Sequence, residues 1–183
     1  ERREKISFHL VNIFSETLSL QRIIENMKRL QKHTIPEMLR NSFESYGQQI
    51  SLVFVGEKNR TYADLSKEVV QLSQRLIDKG IRKGDKVALL SSNMPNWGIS
   101  FFAITSIGAV AVPILPDFSE NEIKNIISHS EARAIFISEN LISRLGNDEL
   151  DKFELAILVD NLENIIDKAI SGSADEKQEE DLI

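Results

Sequence analysis

The chain of 183 residues contains no cysteine. That absence excludes disulfides, thiolate zinc sites and a cysteine nucleophile, and it suits a reducing compartment. Positive charge is also in deficit: 22 Lys and Arg stand against 28 Asp and Glu, a net charge of −6, with no basic stripe. Nucleic acid is therefore excluded as an expected partner. No apolar run reaches the ~18 residues of a membrane span. The opening stretch "ERREKISFHLVNIFSETL" is basic, then apolar, but charges interrupt it too often for a signal peptide.

Catalytic signatures are missing as well. There is no G-x-G-x-x-G turn and no G-x-x-x-x-G-K-[ST] phosphate loop, so neither standard backbone cradle for phosphate is present. H-E-x-x-H and G-x-S-x-G are absent. The three histidines, His9, His33 and His129, lie far apart in sequence. His129 at a helix end reads as a solvated surface group. Acids are missing from most strand ends; Asp160 alone follows a strand. Asn59-Arg60-Thr61 fits a glycosylation sequon but has no secretory signal beside it. No catalytic, cofactor-binding or metal-binding residue is assigned.

What remains is a strong alternation of periods. Residues 4 to 31 carry two slightly offset apolar stripes at three- and four-residue spacing, which predicts one or two helices packed on the body or on a second copy. Met27 is an alternative start for the natural chain. "TIPEMLRNSFESYG" predicts a helix capped by Thr34 with Pro36 in its first turn. "SLVFVG" reads as a strand. Thr61 and Asp64 make a capping box for the helix that follows, which buries Leu65, Val69, Leu72 and Leu76 and ends at Gly80.

"KVALLSS" is a continuous apolar strand of the kind buried on both faces. Pro95 opens "PNWGISFFAITSIG", a helix apolar around most of its circumference through Trp97, Phe101, Phe102, Ile104 and Ile107; it is expected to be deeply buried. "AVAVPI" is a strand, Ser119 and Glu122 cap "ENEIKNIISHSEA", and "RAIFIS" is a strand. "NLISRLG" is a short helix, "LAILVD" a strand and "NLENIIDKAISG" a helix. The alternation predicts an α/β fold with a parallel, doubly wound sheet. Ligands of such sheets sit at the carboxyl ends of strands. The polar residues there are Ser91, Ser92, Asn93 and Asp117, and helix capping and chain turning account for all four. Pro113 and Pro116 end a strand, because proline cannot donate to the ladder.

The residues also carry a resemblance. Thr61-Tyr62 opens an Asp-Leu helix; Gly80 and Gly84-Asp85 precede an apolar strand. Asn93, Pro95 and Trp97 lead a helix ending in Gly108-Ala109-Val110, then Val112-Pro113. In this order and spacing, over roughly residues 34 to 160, the chain resembles the N-terminal part of the adenylate-forming (acyl-CoA synthetase, AMP-binding) superfamily. "PILPDFS" and "HSEARAIFIS" are most similar to its long-chain fatty acid–CoA ligases.

The resemblance implies a parent enzyme that uses ATP, magnesium and CoA to turn a fatty acid into an acyl-adenylate and then a thioester. It implies a cytoplasmic, peripherally membrane-associated location and the rest of the same polypeptide as partner. The Rossmann-like first subdomain would span residues 34–172, after an N-terminal helical extension at 1–33 that is also a candidate homodimer contact. An acidic linker at 173–183 would lead to a phosphate loop that this sequence lacks. No threonine follows Thr105, and no Pro-Lys-Gly occurs. The expectation is an inactive N-terminal fragment. The alternative is a self-contained, non-enzymatic α/β binding or regulatory module.

Overall fold

The computed structural model describes residues 34–168. The expected N-terminal helical extension, the acidic linker, and His9 and His33 lie outside the described residues. The first helix, α1 (Ile35–Tyr46), starts at Thr34, whose side chain accepts the Glu37 N–H. A two-stranded antiparallel ribbon follows, β1 (Ile50–Leu52) with β2 (Arg60–Thr61). The strand expected over "SLVFVG" is shorter than its apolar run, because pairing stops at Leu52 and Val53, Phe54 and Val55 stand exposed in the connecting turn.

Helix α2 (Tyr62–Asp78) begins at the Thr61–Asp64 capping box and buries Leu65, Val69, Leu72 and Leu76. Gly80, at φ 85°, then takes the left-handed conformation that a side chain would strain. The central sheet consists of β3 (Lys86–Leu90), β4 (Val110–Ile114), β5 (Ala134–Ile137), β6 (Leu155–Leu158) and β7 (Asn164–Asp167), in the order β4-β3-β5-β6-β7. The first four strands run parallel; β7 runs antiparallel to β6.

Between the strands lie α3 (Pro95–Ser106), α4 (Glu120–Ser130, capped by Ser119 and Glu122), a 3-10 turn (Glu139–Leu141), α5 (Ile142–Leu145) and α6 (Asn147–Leu150). Side chains alternate across the sheet, as the period of two requires. Val87, Leu89, Phe136, Leu155 and Ile157 meet α2 and α3 on one face. Ala88, Leu90, Ile135, Ile137 and Ala156 meet α4, α5 and α6 on the other. Helices on both faces explain why these strands read as continuous apolar runs.

Two expectations are corrected. "NLENIIDKAISG" does not begin as a helix: its described part holds β7. Leu162 stands at φ 60°, which breaks any helical path, and Arg75 of α2 donates to the Leu162 carbonyl and to Asn164 Oδ1. Pairing with the free edge of β6 overrides a local three-and-four spacing. The last strand also makes the sheet mixed rather than wholly parallel.

The second correction concerns α3. It buries Ile99, Ser100, Ala103, Ile104 and Ser106, but Trp97, Phe101, Phe102 and Ile107 are only half-buried. The helix packs against α1, α2 and the sheet, and its aromatics keep part of their surface uncovered. Apolarity all round reports what a helix needs, not how much of that need one domain meets.

The C-cap of α4 carries a cost of its own. Glu131 sits in the left-handed region at φ 54°, where glycine is the favoured residue, and its side chain reaches only Lys86, at 3.6 Å on the surface. Glu131→Gly is expected to raise stability by about 0.5–1 kcal/mol, since the relief of strain outweighs an exposed ion pair. Urea denaturation checks it, and a lower midpoint for the variant would contradict it.

Candidate functional site

Strands β3 and β5 are neighbours, but the chain leaves β3 for β4 on one side and returns to β5 on the other. Their carboxyl ends therefore form the switch point of the doubly wound sheet, where such folds open a ligand crevice. Here hydrogen bonds link those ends. Ser138, fully buried after β5, donates to Ser91 Oγ at 2.6 Å, and Ser91, buried after β3, donates to the Ser92 carbonyl at 2.9 Å. At the next strand end, Asn96 in the first turn of α3 donates to the carbonyls of Val159 at 2.8 Å and Asp160 at 3.2 Å. Asp160 Oδ2 accepts the Glu139 N–H at 2.8 Å. The exits of β3, β5 and β6 are thus tied together by hydrogen bonds.

Of the four polar residues singled out from sequence, Ser91 belongs to this lattice and Ser92 contributes a carbonyl to it. Asn93 and Asp117 are exposed. Ser138, Asn96 and the Asp160–Glu139 contact were not singled out. Ser138 holds the position after β5 that Ser91 holds after β3, so the strand-end rule itself could have found it. Asn96 reaches its carbonyl partners across more than sixty residues, and no local pattern signals that.

Electrostatics point the same way. Hydrogen bonds from Thr61 hold the Asp64 carboxyl below the usual range, those from Ser119 do so for Glu122, and the Lys79 ammonium does so for Asp167. All three serve helix caps or strand anchoring. At the amino edge of the sheet, Arg133 donates to both carboxylate oxygens of Glu154 and to Asp85. The bonds to Glu154 foremost hold its guanidinium more firmly protonated than usual. This clamp ties β3, β5 and β6 together at the end away from the crevice. His129 is exposed and alone, and among the described residues no group of three His, Asp or Glu could hold a metal ion.

Fold and site define a doubly wound α/β unit whose strand exits are joined by hydrogen bonds at the switch point. Residues 39–182 match the AMP-binding enzyme family, and the chain belongs to that family. It is 33% identical to crotonobetaine/carnitine–CoA ligase of Proteus mirabilis over 101 residues, 53% of this chain and 20% of the relative. The fold matches that of the fatty acyl CoA synthetase of Mycobacterium tuberculosis with a TM-score of 0.64 at 27% identity, over 70% of this chain and 27% of that one. It also matches the N-terminal subdomain of NpsA from Klebsiella oxytoca, with a TM-score of 0.60 at 23% identity, covering 70% of this chain and 32% of that one. The chain spans about a fifth of the length of the acyl-CoA ligases it matches. Among the described residues no helix is long and apolar enough to cross a membrane.

Proposed function

We propose that this chain is the first α/β subdomain of an ATP-dependent fatty acid–CoA ligase of the cytoplasm, and that it has no activity by itself. The reaction would activate a carboxylate as an acyl-adenylate, releasing pyrophosphate, and then transfer the acyl group to the thiol of CoA. Adenylation gives the carboxylate a leaving group that a thiol can displace. The internally hydrogen-bonded switch point is the observation that carries the inactive reading. ATP would need a cradle of backbone N–H groups, hydroxyls and cations at that edge. The buried hydroxyl of Ser138 is spent on Ser91 and that of Ser91 on the Ser92 carbonyl, so neither donor is free for a phosphate.

The described residues at this edge therefore do not fit ATP or magnesium, and no step of the reaction is assigned to them. Their part is to support and wall a site built by other segments of the polypeptide. Two likenesses favour a fatty acid as the acid. The stretch from Pro113 to Ser138 resembles long-chain ligases, and a fatty acyl CoA synthetase is among the proteins that share the fold.

Isothermal calorimetry tests the inactive arm. Mg-ATP titrated into the 183-residue chain is expected to give no saturable heat. Saturation at micromolar ATP would show a nucleotide site in this sheet and remove the proposal's structural basis.

A further inference from the structure

The ribbon of β1 and β2 ends in an apolar turn that no other described residue covers. Val53, Phe54 and Val55 are 67%, 44% and 97% exposed, and no charged residue occurs from Ile50 to Gly56. The Glu57 N–H donates to the Phe54 carbonyl at 3.1 Å and Gly56 stands at φ 86°, so Val55 and Gly56 are the central pair of a type II turn with Val55 at its apex. A Cβ at position 56 would meet no atom within 4 Å. Turn tips ordinarily carry polar residues. Three bare apolar side chains of strong strand preference mark a contact with something else.

The base of the ribbon is fixed. Ser51 Oγ donates to the Arg60 carbonyl at 3.1 Å, and the N–H groups of Tyr62 and Ala63 donate to the carbonyls of Gln49 and Gly47, each at 2.9 Å. The charges beside the tip are sorted as well. Arg60 binds Glu57 at 2.9 Å and reaches Glu68 at 3.2 Å. Lys58 is exposed and forms no ion pair among the described residues. The Asp64 carboxylate feels its field but is held by the Thr61 N–H and hydroxyl. The uncompensated charge next to the apolar tip is therefore positive.

Resting on the reading of the substrate as a long-chain fatty acid, we propose that the turn at Val53, Phe54 and Val55 inserts into the surface of a phospholipid bilayer, with Lys58 at the headgroup phosphates. The occupant follows from shape and chemistry. A turn apex is convex and suits a fluid layer that closes around it; the ribbon offers no groove in which a helix or strand could lie. Valine and phenylalanine at the acyl boundary with one cation at headgroup level make an interfacial anchor. Every methylene of a fatty acid favours the bilayer over water. A ligase held at that surface meets its substrate where the substrate is concentrated. The net charge of −6 works against attraction by charge alone, so the apolar turn carries the contact.

Flotation of the intact enzyme with vesicles of phosphatidylcholine, with and without phosphatidylglycerol, is the test. The native enzyme is expected to float with both, and to stay bound at high salt, because screening leaves apolar insertion untouched. Val55→Asp is expected to lower partitioning about tenfold or more while the melting temperature in vesicle-free buffer is unchanged, since the site is open to water. Val55→Ser, which adds no charge, should lower it several-fold. Lys58→Gln should weaken binding to the phosphatidylglycerol mixture more than to phosphatidylcholine. A native enzyme that does not float, binding that both Val55 variants leave unchanged, or binding that high salt abolishes overturns the anchor. A Val55→Asp enzyme that melts lower without vesicles shows the turn covered by another segment or a second copy, and overturns it too. Pyrophosphate exchange on the same sample keeps the two readings apart. Exchange with fatty acids but no flotation removes only the anchor, and Val55-dependent flotation without exchange removes only the ligase.

Discussion

Replacing Phe136 with alanine is expected to destabilise the domain by about 3–5 kcal/mol, the range for removing a large buried aromatic. Phe136 lies at the middle of β5, is fully buried, and is among the largest such side chains of the domain. It pairs with Leu89 of β3 on one side and Ile157 of β6 on the other, under the helices α2 and α3. The strands are fixed by their own ladders, so they cannot collapse into the vacated space, and the cost sits at the upper part of the range. Typical domains hold only 5–15 kcal/mol in total, so the variant should unfold at a much lower urea concentration. A midpoint change worth under about 1 kcal/mol would mean that Phe136 is not at the centre of the core.

The second large effect is at Arg133. Its guanidinium bonds Glu154 through two nitrogens, at 3.1 and 3.0 Å, and Asp85 at 2.9 Å, with 23% of the side chain exposed. Asp85 also accepts the Arg82 N–H at 2.8 Å, so it fixes the turn into β3. Arg133→Ala leaves two carboxylates without their shared cation at the amino ends of three strands. The expected loss is about 1.5–3 kcal/mol, the range for hydrogen bonds to charged groups, reduced from fully buried values by partial exposure. Arg133→Lys should recover less than half, because a point charge cannot reproduce the two-pronged contact. Chemical denaturation at neutral pH measures both, and equal stability of the lysine variant and the native chain would refute the clamp.

The parts of this molecule legible in its sequence are those decided locally. Thr61 with Asp64 and Ser119 with Glu122 announce helix starts three residues apart, and both boxes form. Apolar runs such as "KVALL" and "AIFI" announce strands buried on both faces, and each is paired on both sides. What stayed illegible depends on distant partners. Asn164–Asp167 becomes a strand because β6 has an edge to cover and Arg75 reaches the turn before it. Trp97 and Phe101 are only half-buried because burial depends on what faces a helix, which its own period cannot state. At the switch point, Ser91 was readable as polar at a strand end. Its engagement with Ser138 was not, since two serines 47 residues apart carry no joint pattern.

The claim that this chain belongs to an enzyme that activates fatty acids as adenylates is tested most directly by ATP–pyrophosphate exchange. The intact protein is assayed with acetate, aromatic acids, amino acids and long-chain fatty acids, without CoA. This isolates the first half-reaction, in which an acid must be adenylated before labelled pyrophosphate can return to ATP. The account predicts exchange that depends on long-chain fatty acids and exceeds that with every other class. Exchange with aryl or amino acids alone would contradict the substrate class, and a folded protein giving no exchange with any acid would contradict the enzyme itself.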